Sequence, residues 1–376
     1  MELLVLQEKL KKGLNVVERT SSKSLSLPIL NNILISTEKS FLNLAATDLE
    51  IGINWWVLTK VEKEGKITVP ARLFSSFINL LPNKKINIKT EDSVLFIEYE
   101  NYKTQIKGLS AEEFPIIPSI KEGEFISVDT LSFCQSLNQV ADIVVPSTTR
   151  PEISGIYFLF QKNLITMVAT DSFRLGEKKI FLKNNSALKK DYFFILPQRA
   201  AKEIISIFEE RKGELKIYFS PNQVMFEFPM EETTHPEIQL VSRLIEGEYP
   251  NYQEIIPPKY TTQLVLEKNE FLNQIKTASL FGGKINEIKI KTDPKKKEIE
   301  IFSQSPEIGK HQSFISSKIK GEPVEISFNH RFLLDGILNI KSSEIIFELN
   351  GDSGPGVLKP VGDESYLYVV MPIKAS

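Results

Sequence analysis

Two short motifs in the chain have residue types that could support phosphate binding or nucleophilic catalysis. Residues 282–284 have the Gly-Gly-Lys of a phosphate-binding loop, but Ala278 stands where that loop needs glycine, and Ile285 where it needs serine or threonine. Residues 351–355, Gly-Asp-Ser-Gly-Pro, are similar to a nucleophile elbow, yet proline occupies the last position and no histidine follows. Because both motifs are incomplete, we expect neither ATP binding nor a catalytic triad.

A Ser-x-x-Lys pattern at 186–189 and an Ala-Thr-Asp triplet that ends at Asp48 and again at Asp171 are the other candidates for catalysis. The first lies in the polar stretch KNNSALKK, which is typical of a solvated loop. The second lacks an activating partner, because Glu50 beside the first aspartate is replaced by Phe173 in the second copy. We interpret both aspartates as turn residues, with catalysis as the weaker alternative.

Metal sites and disulfides are not indicated. The three histidines, His235, His311 and His330, are far apart in the sequence, and the single cysteine, Cys134, cannot form an internal disulfide. A lone cysteine fits a reducing compartment. The sequence has no apolar run of about 18 residues and no leader-like N terminus, which predicts a cytoplasmic protein without a membrane span. We expect no metal, no cofactor and no enzymatic activity.

The charge of the chain is balanced overall but uneven along its length. Its 376 residues include 46 lysines and arginines against 48 aspartates and glutamates, so uniform basic coating of nucleic acid is excluded. Within the six helices predicted below, 15 basic residues stand against 10 acidic ones. This excess is suited to a helical surface that faces phosphates, with an ordinary solvated surface as the alternative.

An internal repeat organises the chain. Three copies begin with a Pro-x-Arg or Asn-x-Arg sequence, in which Arg72, Arg199 and Arg331 are equivalent. Apolar residues at helical spacing follow each arginine, and alternating apolar residues, as in 224–228, then predict a strand. Another helical segment precedes each copy, so every repeat has two helices.

Proline-rich connectors near residues 121 and 252 separate the copies. We therefore predict an α+β fold of three similar domains, each with two helices packed on β-sheets. The predicted domains are 1–121, 122–252 and 253–376. The predicted helices are 6–19, 71–85, 128–144, 196–212, 267–281 and 328–341.

Six motifs occur in order along the chain, namely LPILNNILI, AATDLEIGI, ITVPARLFSSFINLLP, MVATDSFRLG, EGEYPNY and the terminal YVVMPI. Together they resemble the bacterial DNA sliding clamp, the processivity-factor β subunit of DNA polymerase III, in register from Leu3 to Ile373. The resemblance implies a head-to-tail homodimer that closes into a ring around duplex DNA, independent of DNA sequence, and tethers the replicative polymerase. It also implies a separate ATP-dependent clamp loader.

The resemblance assigns DNA contacts to Arg72 and Arg150, with Arg199 and Lys23 as further candidates. Arg199 lies beside the family's own DNA-contacting position, which is Gln198 here. Three departures from the family pattern affect these sites. They are Ser24 for a usual arginine, Pro151-Glu152 for residues that are often aromatic, and Glu254 for a residue that is often basic.

The resemblance also implies a partner-peptide pocket between the second and third domains, for the polymerase catalytic subunit, the clamp loader and other proteins with the same short motif. An apolar cleft of this kind suits the leucine and phenylalanine side chains of an extended peptide. For Leu175, Val369 and Met371, simple burial in the core is the alternative. The matching positions are Ile153, Thr170, Ser172, Phe173, Arg174, Leu175, Pro250, Val369 and Met371, with Ser353 and Pro355 at the rim.

Dimer closure is expected from strand pairing, because three repeats in a half-ring leave two unpaired sheet edges. The segment 102–107, with Ile106, is predicted to meet Leu280 and Phe281 of a second copy. The main rival interpretation is a scaffold with the same three-domain fold that binds proteins but not DNA.

Overall fold

The structure is a computed structural model that describes residues 1–21, 26–120, 124–182 and 188–373. The described residues form six α-helices, which coincide with the six predicted ones and end a few residues inside the predicted bounds. They are α1 (Gln7–Val17), α2 (Ala71–Leu80), α3 (Thr130–Ala141), α4 (Gln198–Phe208), α5 (Lys268–Ser279) and α6 (His330–Asn339). Within these described ranges no helix is long and apolar enough to cross a membrane.

The described residues also form 26 strands, distributed over the three predicted domains. The first has β1 (Glu2–Leu6), β2 (Asn32–Glu38), β3 (Phe41–Thr47), β4 (Ile51–Leu58), β5 (Lys60–Lys63), β6 (Gly65–Pro70), β7 (Lys85–Glu91), β8 (Val94–Tyr99) and β9 (Tyr102–Lys107). The second has β10 (Phe125–Asp129), β11 (Gly155–Phe160), β12 (Leu164–Thr170), β13 (Arg174–Phe181), β14 (Tyr192–Pro197), β15 (Glu214–Phe219), β16 (Gln223–Pro229) and β17 (Pro236–Arg243). The third has β18 (Thr262–Glu267), β19 (Glu287–Asp293), β20 (Glu298–Ser305), β21 (Gly309–Ser316), β22 (Lys318–Gly321), β23 (Glu325–Asn329), β24 (Glu344–Leu349), β25 (Gly356–Pro360) and β26 (Tyr366–Val370).

These strands pair into four antiparallel sheets. The two smaller sheets, in the orders β5-β1-β7-β8-β9 and β21-β20-β19-β23, each belong to one predicted domain. The two larger sheets, β10-β15-β16-β17-β4-β3-β2-β6 and β14-β11-β12-β13-β26-β25-β24-β18-β22, each combine two predicted domains. The joints are the pairing of β4 with β17 and of β13 with β26.

The chain divides into two compact units, which are described separately below. The first unit includes Met1–Cys134 and Arg199–Leu244, as far as these are described, with the five- and eight-stranded sheets. The second includes Gln135–Asn184, Asp191–Gln198 and Ile245–Ser376, likewise as far as described, with the nine- and four-stranded sheets. The units do not follow the three repeats, because each large sheet joins strands of two repeats. The domain boundaries at 121 and 252 stay predictions.

Buried apolar side chains fix the helices on these sheets. In the first unit α1 buries Leu10, Leu14 and Val17 completely. Gly13 allows the helix to lie close to the sheet, because a Cβ atom there would be 2.7 Å from Cδ1 of Trp55. Burial of a leucine or valine side chain contributes roughly 1.5–3 kcal/mol, so these contacts position α1 more strongly than helix propensity does.

Candidate functional site

The turn between β12 and β13 contains several of the predicted pocket residues. Oδ1 of Asp171 accepts hydrogen bonds from the backbone N–H groups of Phe173 at 2.9 Å and Arg174 at 3.0 Å. The hydroxyl of Thr170 donates to the carbonyl of Arg174 at 2.8 Å, and Ser172 adopts a left-handed conformation with φ 76°. The turn is therefore fixed by its own side chains, and it presents Phe173 to solvent with 61% of its surface exposed.

The turn between β3 and β4 repeats this geometry in the first unit. Oδ1 of Asp48 accepts from the N–H groups of Glu50 at 3.0 Å and Ile51 at 2.8 Å, and Leu49 has the same φ of 76°. Asp48 and Asp171 thus have the same structural role, because each accepts hydrogen bonds from backbone N–H groups in a tight turn. The interpretation of both aspartates as turn residues is confirmed.

Pairing of β13 with β26 brings distant parts of the predicted pocket together. Leu175 lies opposite Val369 in the ladder, and the N–H of Met371 donates to the carbonyl of Phe173 at 2.9 Å. Leu175 and Val369 are each only 1% exposed and belong to a buried cluster with other apolar residues of the sheet. Leu175 and Val369 can therefore contribute only to the buried floor of a pocket. Phe173 and Met371, in contrast, reach the surface.

The remaining predicted pocket residues divide by exposure. The buried ones are Ile153, Thr170 and Arg174, the partly exposed ones are Pro250 and Pro355, and the exposed ones are Ser172 and Ser353. Ser353 lies in the connection from β24 to β25, together with the other residues of the elbow-like motif.

Three tyrosines, one in the buried cluster and two packed against it, were missed by the sequence reasoning. Tyr157 stacks on Tyr249 with ring centroids 5.0 Å apart, and the hydroxyl of Tyr252 donates to the carboxylate of Glu177 at 2.8 Å. Burial, reinforced by the charge of Glu177, raises the pKa of Tyr252 well above its usual value, so the phenol stays protonated as a donor. The motif EGEYPNY, which contains Tyr249 and Tyr252, was the available signal.

Arg174 holds the turn in place rather than facing solvent. Its Nε donates to Asp171 at 3.0 Å, and its Nη1 pairs with Asp335 on α6. The guanidinium lies 4.8 Å above the ring of Phe332, also on α6, and Nη2 donates to the carbonyl of Asp142 at 3.4 Å. Because the side chain is buried and bonded on several sides, it anchors the turn to α6.

The equivalent turn of the first unit has the same backbone connection. There the N–H of Arg243 donates to the carbonyl of Glu50 at 2.9 Å, as the N–H of Met371 does to Phe173 in the second unit. The β4–β17 joint and the β13–β26 joint are therefore two copies of one arrangement.

The side chains of the two joints differ in chemistry. Gly52 occupies the position of Leu175 and is covered by Ile117, whose Cγ2 would lie 2.7 Å from a Cβ at Gly52. Glu50 and Arg243 form an ion pair at 3.8 Å where the second unit has a phenylalanine and a methionine. The second-unit joint thus has an exposed phenylalanine where the first-unit joint has one member of a charged pair.

Two of the predicted DNA contacts, Arg72 and Arg199, occupy places equivalent to that of Arg331 in the third repeat. Arg72, Arg199 and Arg331 are each the second residue of their helix, α2, α4 and α6, and all are exposed. Arg199 pairs with Asp48, which reduces its charge toward solvent. Arg72 and Arg331 have no carboxylate partner among the described residues.

The other predicted DNA contacts have different surroundings. Arg150 donates from Nε to Glu152 at 3.1 Å and from Nη1 to the hydroxyl of Ser172 at 3.2 Å, so it lies against a predicted pocket residue. Gln198 donates to the carbonyls of Ala141 and Val144 at 2.9 and 2.8 Å, which gives it a structural role. Lys23 and Ser24 lie outside the described residues.

The predicted dimer residues are only partly as expected. Ile106 lies on β9, an edge strand, but its side chain is 3% exposed and packs within its own sheet. Leu280 and Phe281 follow the end of α5, within the predicted helix 267–281, and are not part of a strand. Their contact with a second copy stays a prediction. Phe281 instead stacks on His311 of the edge strand β21, with centroids 5.7 Å apart.

Replacement of Arg174 by methionine tests its anchoring role. The substitution leaves the buried carboxylate of Asp171 without its partner, so we expect the free energy of unfolding of the second unit to fall by about 3–5 kcal/mol. Urea denaturation followed by circular dichroism measures this loss. The matched control Arg150→Met, at an exposed ion pair, should change stability by less than about 1 kcal/mol. Equal stability of the two variants would contradict the anchoring role.

Comparison with known proteins agrees with this architecture along the whole chain. Models of the DNA polymerase III beta subunit match in three consecutive parts, the N-terminal domain at 1–118, the central domain at 127–251 and the C-terminal domain at 253–374. The Beta sliding clamps of Synechococcus elongatus and Staphylococcus aureus are 27% and 28% identical over 100% of this chain and 99% of their own. The crystal structure of the DNA polymerase sliding clamp from Bacillus subtilis matches with a TM-score of 0.93 and 26% identity over 100% of both chains. The chain therefore belongs to the DNA polymerase III beta subunit family, the bacterial sliding clamps.

Proposed function

We propose that two copies of this chain join head to tail into a closed ring around duplex DNA and tether the replicative polymerase there. As a member of the sliding-clamp family, the chain is a non-catalytic processivity factor of DNA replication. The main support for the ring is that β9 and β21 each lie at the edge of a sheet. By their order within the repeats, these two strands correspond to the strands that pair with each other inside the chain.

The correspondence follows from the order of strands in each repeat. Strands β4, β13 and β21 each follow a tight turn in the hairpins β3–β4, β12–β13 and β20–β21. Strands β9, β17 and β26 each end a three-strand meander. Inside the chain, β4 pairs with β17 and β13 pairs with β26, so each joint links one hairpin strand to one meander strand. By the same rule, β21 is expected to pair with β9 of a second copy. Two such joints close a symmetric head-to-tail dimer.

The side chains at these edges favour a covered interface. Tyr102 on β9, Phe314 on β21 and Leu280 beside β21 are large apolar residues with more than half of their surfaces exposed. An exposed edge strand with apolar side chains invites pairing with another chain. Ile106 contributes through the backbone of its strand, because its side chain is already buried.

Unpaired arginines support the DNA contact. Arg72 and Arg331 are exposed at equivalent helix starts and have no carboxylate partner within the described ranges. Cations of this kind bind phosphates without reading bases, which permits sliding. We also infer a cytoplasmic location, because replication requires access to the chromosome.

The second-unit joint supports the partner site. Phe173, Met371 and Pro250 are apolar residues that reach the surface, whereas Leu175 and Val369 are buried in one cluster. We infer that the first three are the rim of the site and the last two its floor. Leucine and phenylalanine side chains of an extended peptide fit such a surface, and successive partners can share it. We infer that the polymerase catalytic subunit, the clamp loader and other proteins with the same motif bind here.

Ring closure predicts that retention on DNA depends on topology. Protein loaded on nicked circular DNA should stay bound through gel filtration and should be lost once the DNA is cut to a linear form. The double variant Leu280→Asp with Phe314→Asp should weaken the dimer at least about tenfold by light scattering, because closure would bury unpaired carboxylates. Phe181→Asp, at an equally exposed phenylalanine, is the control. Equal retention on circular and linear DNA would reject the ring.

Charge reversal tests the DNA-facing arginines. We expect Arg72→Glu to lower the slope of log affinity against log salt by about 0.9, because one phosphate contact and its released counterion are lost. Arg150→Glu should have a smaller effect, since Glu152 already pairs with this arginine. Fluorescence anisotropy with duplex DNA at several salt concentrations measures both, with Lys162→Glu as control. An unchanged slope for Arg72→Glu would remove this residue from the DNA surface.

Peptide binding tests the partner site. A peptide with a Gln-Leu-x-Leu-Phe motif should bind at micromolar strength, or roughly −8 kcal/mol. Phe173→Ala and Met371→Ala should each weaken binding about tenfold or more while the fold is kept, because each loses an exposed apolar contact. Leu175→Ala should instead cost about 2–5 kcal/mol of stability, since it leaves a cavity in the core.

The first unit offers the matched control for this experiment. Glu50→Ala with Arg243→Ala alters the equivalent joint, and we expect unchanged peptide affinity by isothermal calorimetry. Loss of binding in this control, with Phe173→Ala unaffected, would move the site to the other joint.

A further inference from the structure

A concave pocket of about 320 Å³ lies on one face of the eight-stranded sheet, in the first unit. It is separate in sequence and structure from the peptide site, which lies in the second unit. The residues that matter for its chemistry are Ser36, Glu38, Phe41, Asn43, Trp56 and His235.

Strand register places four of these residues on the same face. Ser36 on β2 lies opposite Asn43 on β3, which in turn lies opposite Trp56 on β4. Phe41 is two residues before Asn43 and so shares its face. The neighbouring Trp55 points to the other face and is 3% exposed, so the two tryptophans report on opposite sides of the sheet.

His235 closes one side of the pocket and is held in a fixed position. Its ring stacks on Phe41 with centroids 4.1 Å apart and stands at 68° to the ring of Trp56, 5.3 Å away. Its backbone carbonyl accepts from Met230 at 2.9 Å, and its Nδ1 lies 2.7 Å from the carbonyl of Pro236. Because Nδ1 must be the donor to a carbonyl, the neutral ring keeps Nε2 as an acceptor.

The polar groups of the pocket are mostly acceptors. Glu38 is exposed and has no ion-pair partner among the described residues. Asn43 uses its Nδ2 toward Asn54 at 3.4 Å, which leaves its amide oxygen to accept. The lining also includes one cation, the exposed Lys39, whose ammonium opposes the charge of Glu38. Acceptors and a carboxylate beside aromatic rings favour a planar cation with several N–H donors.

The same unit contains a filled example of this combination. The guanidinium of Arg211 lies 4.9 Å from the ring of Trp55 and 5.2 Å from that of Phe228, and it pairs with Glu237 at 2.6 Å. On the opposite face, Trp56 and Glu38 supply the aromatic and carboxylate parts of the same set. We propose that this pocket binds the guanidinium of an arginine side chain presented by a protein partner.

The two adjacent tryptophans, the only ones in the chain, make the test specific. Protein labelled with 5-fluorotryptophan gives one fluorine NMR signal for each, assigned with Trp56→Phe. On titration with acetyl-Gly-Arg-Gly-amide we expect the Trp56 signal to shift in a saturable way and the Trp55 signal to stay in place. The same peptide with lysine in place of arginine should bind at least about fivefold more weakly, because an ammonium is compact and does not stack on an aromatic ring. The neutral citrulline peptide should cause no shift.

The variant Glu38→Gln separates charge recognition from general contact. This substitution should weaken binding of the arginine peptide about three- to tenfold, since a charge-assisted hydrogen bond becomes a neutral one. The matched control Glu113→Gln, at an exposed carboxylate outside the pocket lining, should bind as the unaltered protein does. An unshifted Trp55 signal in both variants reports an intact sheet. The proposal would be overturned if the citrulline peptide shifted the Trp56 signal as much as the arginine peptide does, or if the Trp55 and Trp56 signals moved together. Equal affinity of Glu38→Gln and Glu113→Gln for the arginine peptide would also overturn it.

Discussion

Antiparallel pairing between successive repeats is the interaction on which the rest of the structure depends. At β4–β17 and β13–β26 the edge of one repeat completes the sheet of the next, so that two small sheets become one large one. Backbone hydrogen bonds define this joint, and they place few demands on side chains. The same joint can therefore recur with different sequences.

The two joints have the same backbone pairing but different side chains. In the first unit Ile117 packs over Gly52, and Glu50 pairs with Arg243 beside a small concavity of about 100 Å³. In the second unit Phe173 remains exposed over the floor of Leu175. The two joints therefore share one backbone arrangement but expose different side chains.

Arginine has three distinct roles in this molecule, set by its neighbours. Arg174 is buried between Asp171, Asp335 and the ring of Phe332 and anchors a turn. Arg199, at a helix start, is paired with Asp48. Arg72 keeps its charge toward solvent, which is the condition for releasing counterions from DNA. A count of basic residues cannot distinguish these roles, because the nearest carboxylate decides each one.

The sequence by itself determined the six helices, the threefold repeat and the turn role of Asp48 and Asp171, because helical spacing and Asx turns are local. It also determined the family, through motifs kept in order along the chain. Only the tertiary structure decided that Leu175 and Val369 are buried, that Arg150 donates a hydrogen bond to Ser172, and that β21 lies at the edge of its sheet. Those facts depend on pairing and burial between residues far apart in sequence, which no local pattern records.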